Sequence, residues 1–294
     1  MKTSLDHLPA SRQDNLAHIV AVLRDEVEQA TGFATGKKKQ GRIVKIILFG
    51  SYATGKWVNN PAHGYVSDYD ILVIVNKRAL VSEHKIWHIS EDRIALRVRQ
   101  SLNILVHTLD EVNNSIAQGQ YFFTDIKREG IVLYETDKRD LAEVGNLTSE
   151  KYRDIAIKHF KYWFESANEF FLDYQAPYQR GNYKNAAFLL HQVAERIYSC
   201  LLLVLTNYKP YTHNLKQLNS LAISQNESIA RVFPQETKIN RRRFDLLKNA
   251  YVDARYSEHY KINKEELDWL AERVGILQDL TETLCKEKID SFEN

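Results

Sequence analysis

The chain has two cysteines, five prolines and no long uncharged apolar run among its 294 residues. Cys200 and Cys285 both fall in apolar helical patterns and read as buried thiols, which excludes a disulfide framework and a cysteine metal cluster. No segment reaches about 18 apolar residues without a charge. The opening stretch, from Met1 to Val20, carries charges and Pro9 where a signal peptide needs an apolar core. A cytoplasmic protein with no membrane partner is therefore expected. Excess charge of either sign is also missing: the net charge is +2, with 19 basic against 17 acidic residues up to residue 140 and 21 against 21 beyond it. Neither part is a bulk polyanion binder, although two local clusters, Lys37, Lys38 and Lys39 and then Arg241, Arg242 and Arg243, remain open as nucleic-acid contacts or solvated faces.

What is present is an ordinary globular composition, 44% hydrophobic and 27% charged, so disorder is not expected. Domains of roughly 100 to 200 residues would make this chain two. Leu16, Ile19, Val20, Leu23 and Val27 predict an amphipathic helix over 11–30, broken by Gly32, Gly36 and Gly41. Short β-branched runs predict strands near 43–49 and 69–75, with others at 102–107 and 131–134, and helical spacing over 83–98. Beyond a polar linker at 137–147, no strand-like alternation recurs. Thr148 is placed to cap a long helix, and residues 182–206, 213–223, 238–258 and 263–290 also have helical spacing, with Pro177, Pro210 and Pro234 between them. The expected fold is α+β: a mixed α/β domain over 1–136, then an all-helical bundle of about five helices over 148–294.

Two elements carry chemistry in the first part. Gly50 and Ser51 end a strand and open a helix, where glycine lets backbone approach a phosphate and the serine hydroxyl hydrogen-bonds its oxygens. Lys56 is a further candidate phosphate contact. Asp68 and Asp70 stand two apart at the start of a strand, so their carboxylates face one way. Carboxylates so placed repel unless a cation joins them, and their hard oxygens suit Mg²⁺ or Mn²⁺.

Gly50-Ser51 followed by Asp68-x-Asp70, each beside a strand, resembles the signature of the minimal nucleotidyltransferase branch of the polymerase-beta-like superfamily. The resemblance implies a nucleoside triphosphate, usually ATP, a divalent metal and transfer of a nucleoside monophosphate. Asp68 and Asp70 become metal ligands, and Gly50 and Ser51 phosphate binders. Two departures stand out. Residues 52–67 lie between the serine and the first aspartate, a longer span than the family's, with 58–65 as an inserted loop. The third carboxylate of many members would fall on the strand near 102–107, where Asn103 or His107 stands instead.

In the second part, residues 183–216 resemble the HEPN family, and Ala250 to Tyr260 resembles the segment carrying that family's functional arginine and histidine. The resemblance implies dimerisation through the helical domain and, in many members, metal-independent RNA cleavage. Arg255 and His259 are the matching pair, with three residues between them where four to six are usual. Four-residue spacing puts both on one helix face. An imidazole can move a 2′-hydroxyl proton and a guanidinium can stabilise phosphorane charge, but a structural arginine with a surface histidine remains the other reading. His191 and Glu195 read as packing and hydrogen-bonding positions, and His213 as helping to start the next helix. Tyr256 and Tyr260 flank His259 as conceivable sites of adenylylation.

The expected function is metal-dependent transfer of AMP from ATP to a protein or RNA hydroxyl, tRNA included, in a toxin-antitoxin or defence-like role. Three alternatives stand beside it: a HEPN endoribonuclease restrained by the fused nucleotidyltransferase, an aminoglycoside-type small-molecule nucleotidyltransferase, and a non-catalytic nucleotide-responsive module.

Overall fold

The computed structural model describes residues 1–32, 36, 40–60, 65–136, 139–145 and 147–293. Lys37, Lys38 and Lys39, and residues 61–64 of the inserted loop, lie outside them. The chain divides into two compact units, the first built on Met1–Asn59 and Val66–Asn146 and the second on Leu147–Asn294.

The first unit is a mixed sheet with helices. Helix α1 (Ala10–Gly32) leads to β1 (Ile43–Phe49), the short α2 (Gly50–Thr54), two-residue strands β2 (Asn59–Asn60) and β3 (Tyr65–Val66), and β4 (Tyr69–Val75). Then come α3 (Arg78–Val81), α4 (His84–Ala95), β5 (Leu102–Thr108), α5 (Leu109–Ala117), α6 (Tyr121–Glu129) and β6 (Ile131–Glu135). The main sheet runs β5-β4-β1-β6, with β4 and β5 parallel and β1 antiparallel to both β4 and β6.

All seven residues of β1 and all seven of β4 are buried. That explains why their sequences are continuous apolar runs rather than alternations: the central strands are covered on both faces. On one face Tyr69, Ile71, Val73 and Val75 join a core with Leu16, Ile19 and Leu23 of α1 and Ile86, Trp87 and Ile94 of α4. On the other, Phe49 meets Phe122 of α6 edge to face at 5.4 Å. The inserted stretch leaves the fold through a clasp. The Ser67 amide donates to the Val58 carbonyl at 2.9 Å, and the Val58 amide donates to the buried Ser67 hydroxyl at 2.8 Å. The sixteen residues between Ser51 and Asp68 therefore leave the strand start at Tyr69 in place.

The second unit is all helical: α7 (Ser149–Gln179), α8 (Tyr183–Thr206), α9 (Leu215–Gln225), a 3₁₀ turn (Glu227–Arg231), α10 (Lys238–Asn249), α11 (Asp253–Tyr256) and α12 (Lys264–Asp290). Side-chain caps set their starts. Thr148, Asn182, Asn214, Thr237 and Asn263 each accept a backbone N–H of the first turn, and Asn263 forms a reciprocal capping box with Glu266. Helix α8 is apolar and long enough to cross a bilayer, yet most of it is buried in the bundle, packed on α7 and α12.

The α+β class holds, with three corrections of detail in the second unit. Pro177 lies inside α7, not between helices. It falls in the last turn, where little of the helix remains to be disturbed. The helix expected over 238–258 is two, separated after Asn249, and Ser257 is extended. Lys184 of α8 holds the chain there by donating to the Ser257 and Glu258 carbonyls at 3.1 and 3.3 Å. His213 does not start α9; Asn214 is the cap.

Replacing Ser67 by alanine removes one side of the clasp at a buried position. A loss of about 1 kcal/mol is expected in urea unfolding, the ordinary net worth of such a hydrogen bond, and an unchanged midpoint would show that the clasp does not hold the strand start.

Candidate functional site

Asp70 is the second residue of β4 and is only 4% exposed. It pairs across β1 with Phe49, the residue before Gly50, and in parallel register with Asn103 of β5. One carboxylate oxygen, Oδ1, accepts from Asn103 Nδ2 at 2.9 Å. Above it sits Gly50, with φ +71°, where an added Cβ would stand 2.3 Å from Asp70 Oδ2. Glycine is thus required twice at position 50, by the left-handed backbone and by the carboxylate beneath it. Strand β1 and the start of helix α2 bring Gly50 directly to Asp70, and Ser51 is the next residue of that helix.

Burial pushes the Asp70 carboxyl up to about 8; the Asn103 hydrogen bond opposes this, and the neighbouring Asp68 charge adds to it. Asp68 is partly exposed, immediately before β4. The two carboxylates are near enough to repel, as the sequence pattern requires. The position beside Asp70 on the next strand is Asn103 rather than His107. His107 lies opposite Ile74, against Glu111 at 3.4 Å and the Phe123 ring at 5.3 Å. The third place beside the carboxylates is therefore an amide, and among the described residues no group of three or more acidic, histidine or cysteine side chains is gathered for a metal. The fit is to a single hard cation held by two carboxylates, one of them buried and charged only against a penalty that a cation relieves.

Lys56 is exposed past the left-handed Gly55, at the end of α2 opposite Gly50. An aromatic stack that sequence reading did not single out supports the site from below. Tyr52 of α2 lies between Tyr69, at 4.5 Å, and Trp57, at 5.5 Å. The aromatic residues were visible in the sequence, but nothing in their spacing tied position 52 to 69.

In the helical unit the expected pair does not share a helix. The Arg255 guanidinium packs over the rings of Tyr251, Phe188 and Tyr256 at 4.5, 4.8 and 4.8 Å, and its Nε donates to the Tyr251 carbonyl at 2.6 Å. His259 lies beyond the end of α11, its side chain 88% exposed with Glu258 at 3.6 Å. One helix face does not present both, because the helix stops at Tyr256. Of the flanking tyrosines, Tyr256 is exposed, whereas Tyr260 is buried with its hydroxyl donating to the Leu246 carbonyl at 2.9 Å. The arginine cluster is committed internally: Arg241 donates to the Gln235 and Glu236 carbonyls, Arg242 pairs with Glu266, and Arg243 pairs with Glu265 at 2.9 Å.

A family model for the polymerase beta nucleotidyltransferase domain matches residues 35–139, which contain β1, Gly50, Ser51, both aspartates and Asn103. A HEPN domain model matches residues 160–284. No curated protein matches the chain significantly.

Two outcomes follow from the packing around Asp70. Gly50→Ala should destabilise the first unit by more than about 2 kcal/mol, since it combines backbone strain with overlap on a carboxylate; urea unfolding measures this, and a neutral substitution would contradict the packing. Burial holds the Asp70 carboxyl up at about 8, well above the usual carboxylate range, so folding favours its protonated form. In EDTA, stability should accordingly fall as pH rises from about 4 to about 8 and level off above that. In Asp70→Asn that component of the decline should be absent when thermal unfolding is compared across the same range.

Proposed function

Because the chain fuses a polymerase beta-type nucleotidyltransferase domain to a HEPN domain, we propose that it transfers a nucleoside monophosphate, AMP from ATP, to a hydroxyl of a protein or RNA. The observation that carries this reading is the buried Asp70 carboxylate under Gly50, with Asp68 beside it and Ser51 at the start of the next turn.

Asp68 and Asp70 would hold Mg²⁺ or Mn²⁺, which when bound neutralises charge on the phosphate oxygens during in-line displacement. Gly50 leaves the backbone open for a phosphate to come close, and the Ser51 hydroxyl donates to one of its oxygens. Asn103 fixes the orientation of Asp70 through the 2.9 Å hydrogen bond without adding a third carboxylate. An amide cannot take up the acceptor's proton. Solvent or a group carried by the substrates would then receive it, which favours an acceptor that is already acidic or supplies its own base. This amide also separates the chain from nucleotidyltransferases that build a second metal position from a third carboxylate.

The test is incubation with α-labelled ATP and Mg²⁺, alone and with total tRNA, followed by counting of label on protein and on RNA. Label is expected on one of the two and should fall by at least about 100-fold in Asp68→Asn/Asp70→Asn, the usual scale for removing metal-based charge stabilisation. Transfer that survives in the double variant would remove the site assignment. Asn103→Asp should lower stability in EDTA by about 1–3 kcal/mol, by burying a second carboxylate against the first. Mg²⁺ should restore much of that loss, read as a shift in melting temperature.

A further inference from the structure

The core of the helical unit brings the two cysteines of the chain together. Cys200 lies on α8 and Cys285 on α12, and both are wholly buried free thiols. Their levels in the bundle follow from α7, which packs against both helices. Tyr178 of α7 donates to Asp268 and Gln278 donates to Asn168, so ten residues back along α7 match ten residues forward along α12. The stacked rings of Tyr152 and Phe292, 6.2 Å apart, continue the same antiparallel register. Phe160 therefore stands level with Cys285 and Lys286. The Phe160 carbonyl in turn accepts from the Cys200 thiol at 3.9 Å. The two sulfurs thus meet at one level of the core, where the hydrogen bond with Cys200, and then burial, push the Cys285 thiol well above its ordinary range.

A neutral buried thiol is a poor nucleophile, so the pair is inert while the helices stay packed. Cys285, however, lies in the last two turns of α12, which ends at Asp290. The end of a helix opens locally far more readily than a whole bundle unfolds. Such an opening admits water, restores ordinary ionisation to the thiol, and returns it to Cys200 when the turns close. No third cysteine competes for either sulfur.

We propose that Cys200 and Cys285 are a redox modification site: hydrogen peroxide converts them to a reversible disulfide that locks the end of α12 to α8. The inference is independent of nucleotidyl transfer. The Cys285 thiolate attacks one peroxide oxygen, the O–O bond breaks, and the departing hydroxide takes up the proton that Cys285 lost, leaving a sulfenic acid and one water. The Cys200 sulfur then attacks the Cys285 sulfur. The S–S bond forms as the S–OH bond breaks, and the departing hydroxide takes the Cys200 proton as a second water. Two thiols give up two electrons in all, and the peroxide accepts them. A dithiol reductant reverses the bridge by thiol–disulfide exchange.

The experiment treats the full chain with hydrogen peroxide, removes the oxidant, unfolds the protein and labels free thiols with a maleimide for mass spectrometry. The untreated chain should take two labels and the treated chain none, with a mass lower by two hydrogens and the migration of a single chain on a non-reducing denaturing gel. The melting temperature of the treated protein should rise by about 5 °C or more, because the bridge closes the long loop between positions 200 and 285. Dithiothreitol should return it to the starting value. Cys285→Ala should show no peroxide-dependent rise, whatever its own starting stability. Two free thiols after treatment, a bridge between chains instead of within one, sulfinic acid in place of the bridge, a bridge that leaves the melting temperature unchanged, or an equal rise in Cys285→Ala would each overturn the proposal.

Discussion

A carboxylate kept out of water sets the terms for the first unit. Asp70 sits almost wholly beneath the surface, and each neighbour answers to it: Gly50 has no side chain, Asn103 supplies one neutral hydrogen bond, and the strand that carries Asp70 and the strand that ends at Phe49 are buried along their whole length. A buried acid whose proton is retained near neutrality is a poor structural element and a useful binding element. The fold stabilises it by surrounding it with apolar strand rather than by pairing it with a cation of its own. Lys45, the buried lysine of β1, is committed to Glu135 at 2.6 Å instead.

Much of this was legible in the sequence. Continuous apolar runs ending at Phe49 and Val75 located the central strands, because sheets covered on both faces need no alternation. Gly50-Ser51 and Asp68-x-Asp70 located the carboxylate site, since a glycine after a strand and a two-residue carboxylate spacing are local patterns. What stayed hidden depended on pairing between distant segments. That Asn103, and not His107, stands beside Asp70 follows from the β4–β5 register, which no local pattern fixes. The clasp from Val58 to Ser67 was invisible for the same reason.

The helical unit misled local reading in a different way. Periodicity from 238 to 258 looks like one helix, and four-residue spacing then puts Arg255 and His259 together. In the fold Lys184, brought from α8, satisfies the carbonyls after Tyr256, and the helix is free to end. His213, read as a helix start, is engaged by Glu195 from a helix eighteen residues earlier. Both outcomes are tertiary contacts overriding a local tendency, and both relocate polar side chains rather than apolar ones. Apolar periodicity located α8 and α12 because burial is a property of a whole face, whereas a hydrogen bond belongs to one atom.

The clasp at Val58 and Ser67 also separates two design problems. Its two hydrogen bonds close the neck of the intervening segment just before the carboxylates, so the spacing from Ser67 to Asp70 is independent of how many residues the segment contains. Chains of this architecture can therefore lengthen, shorten or exchange that segment while the strand that carries the aspartates keeps its register. Diversity can accumulate there without passing through forms that have lost the site.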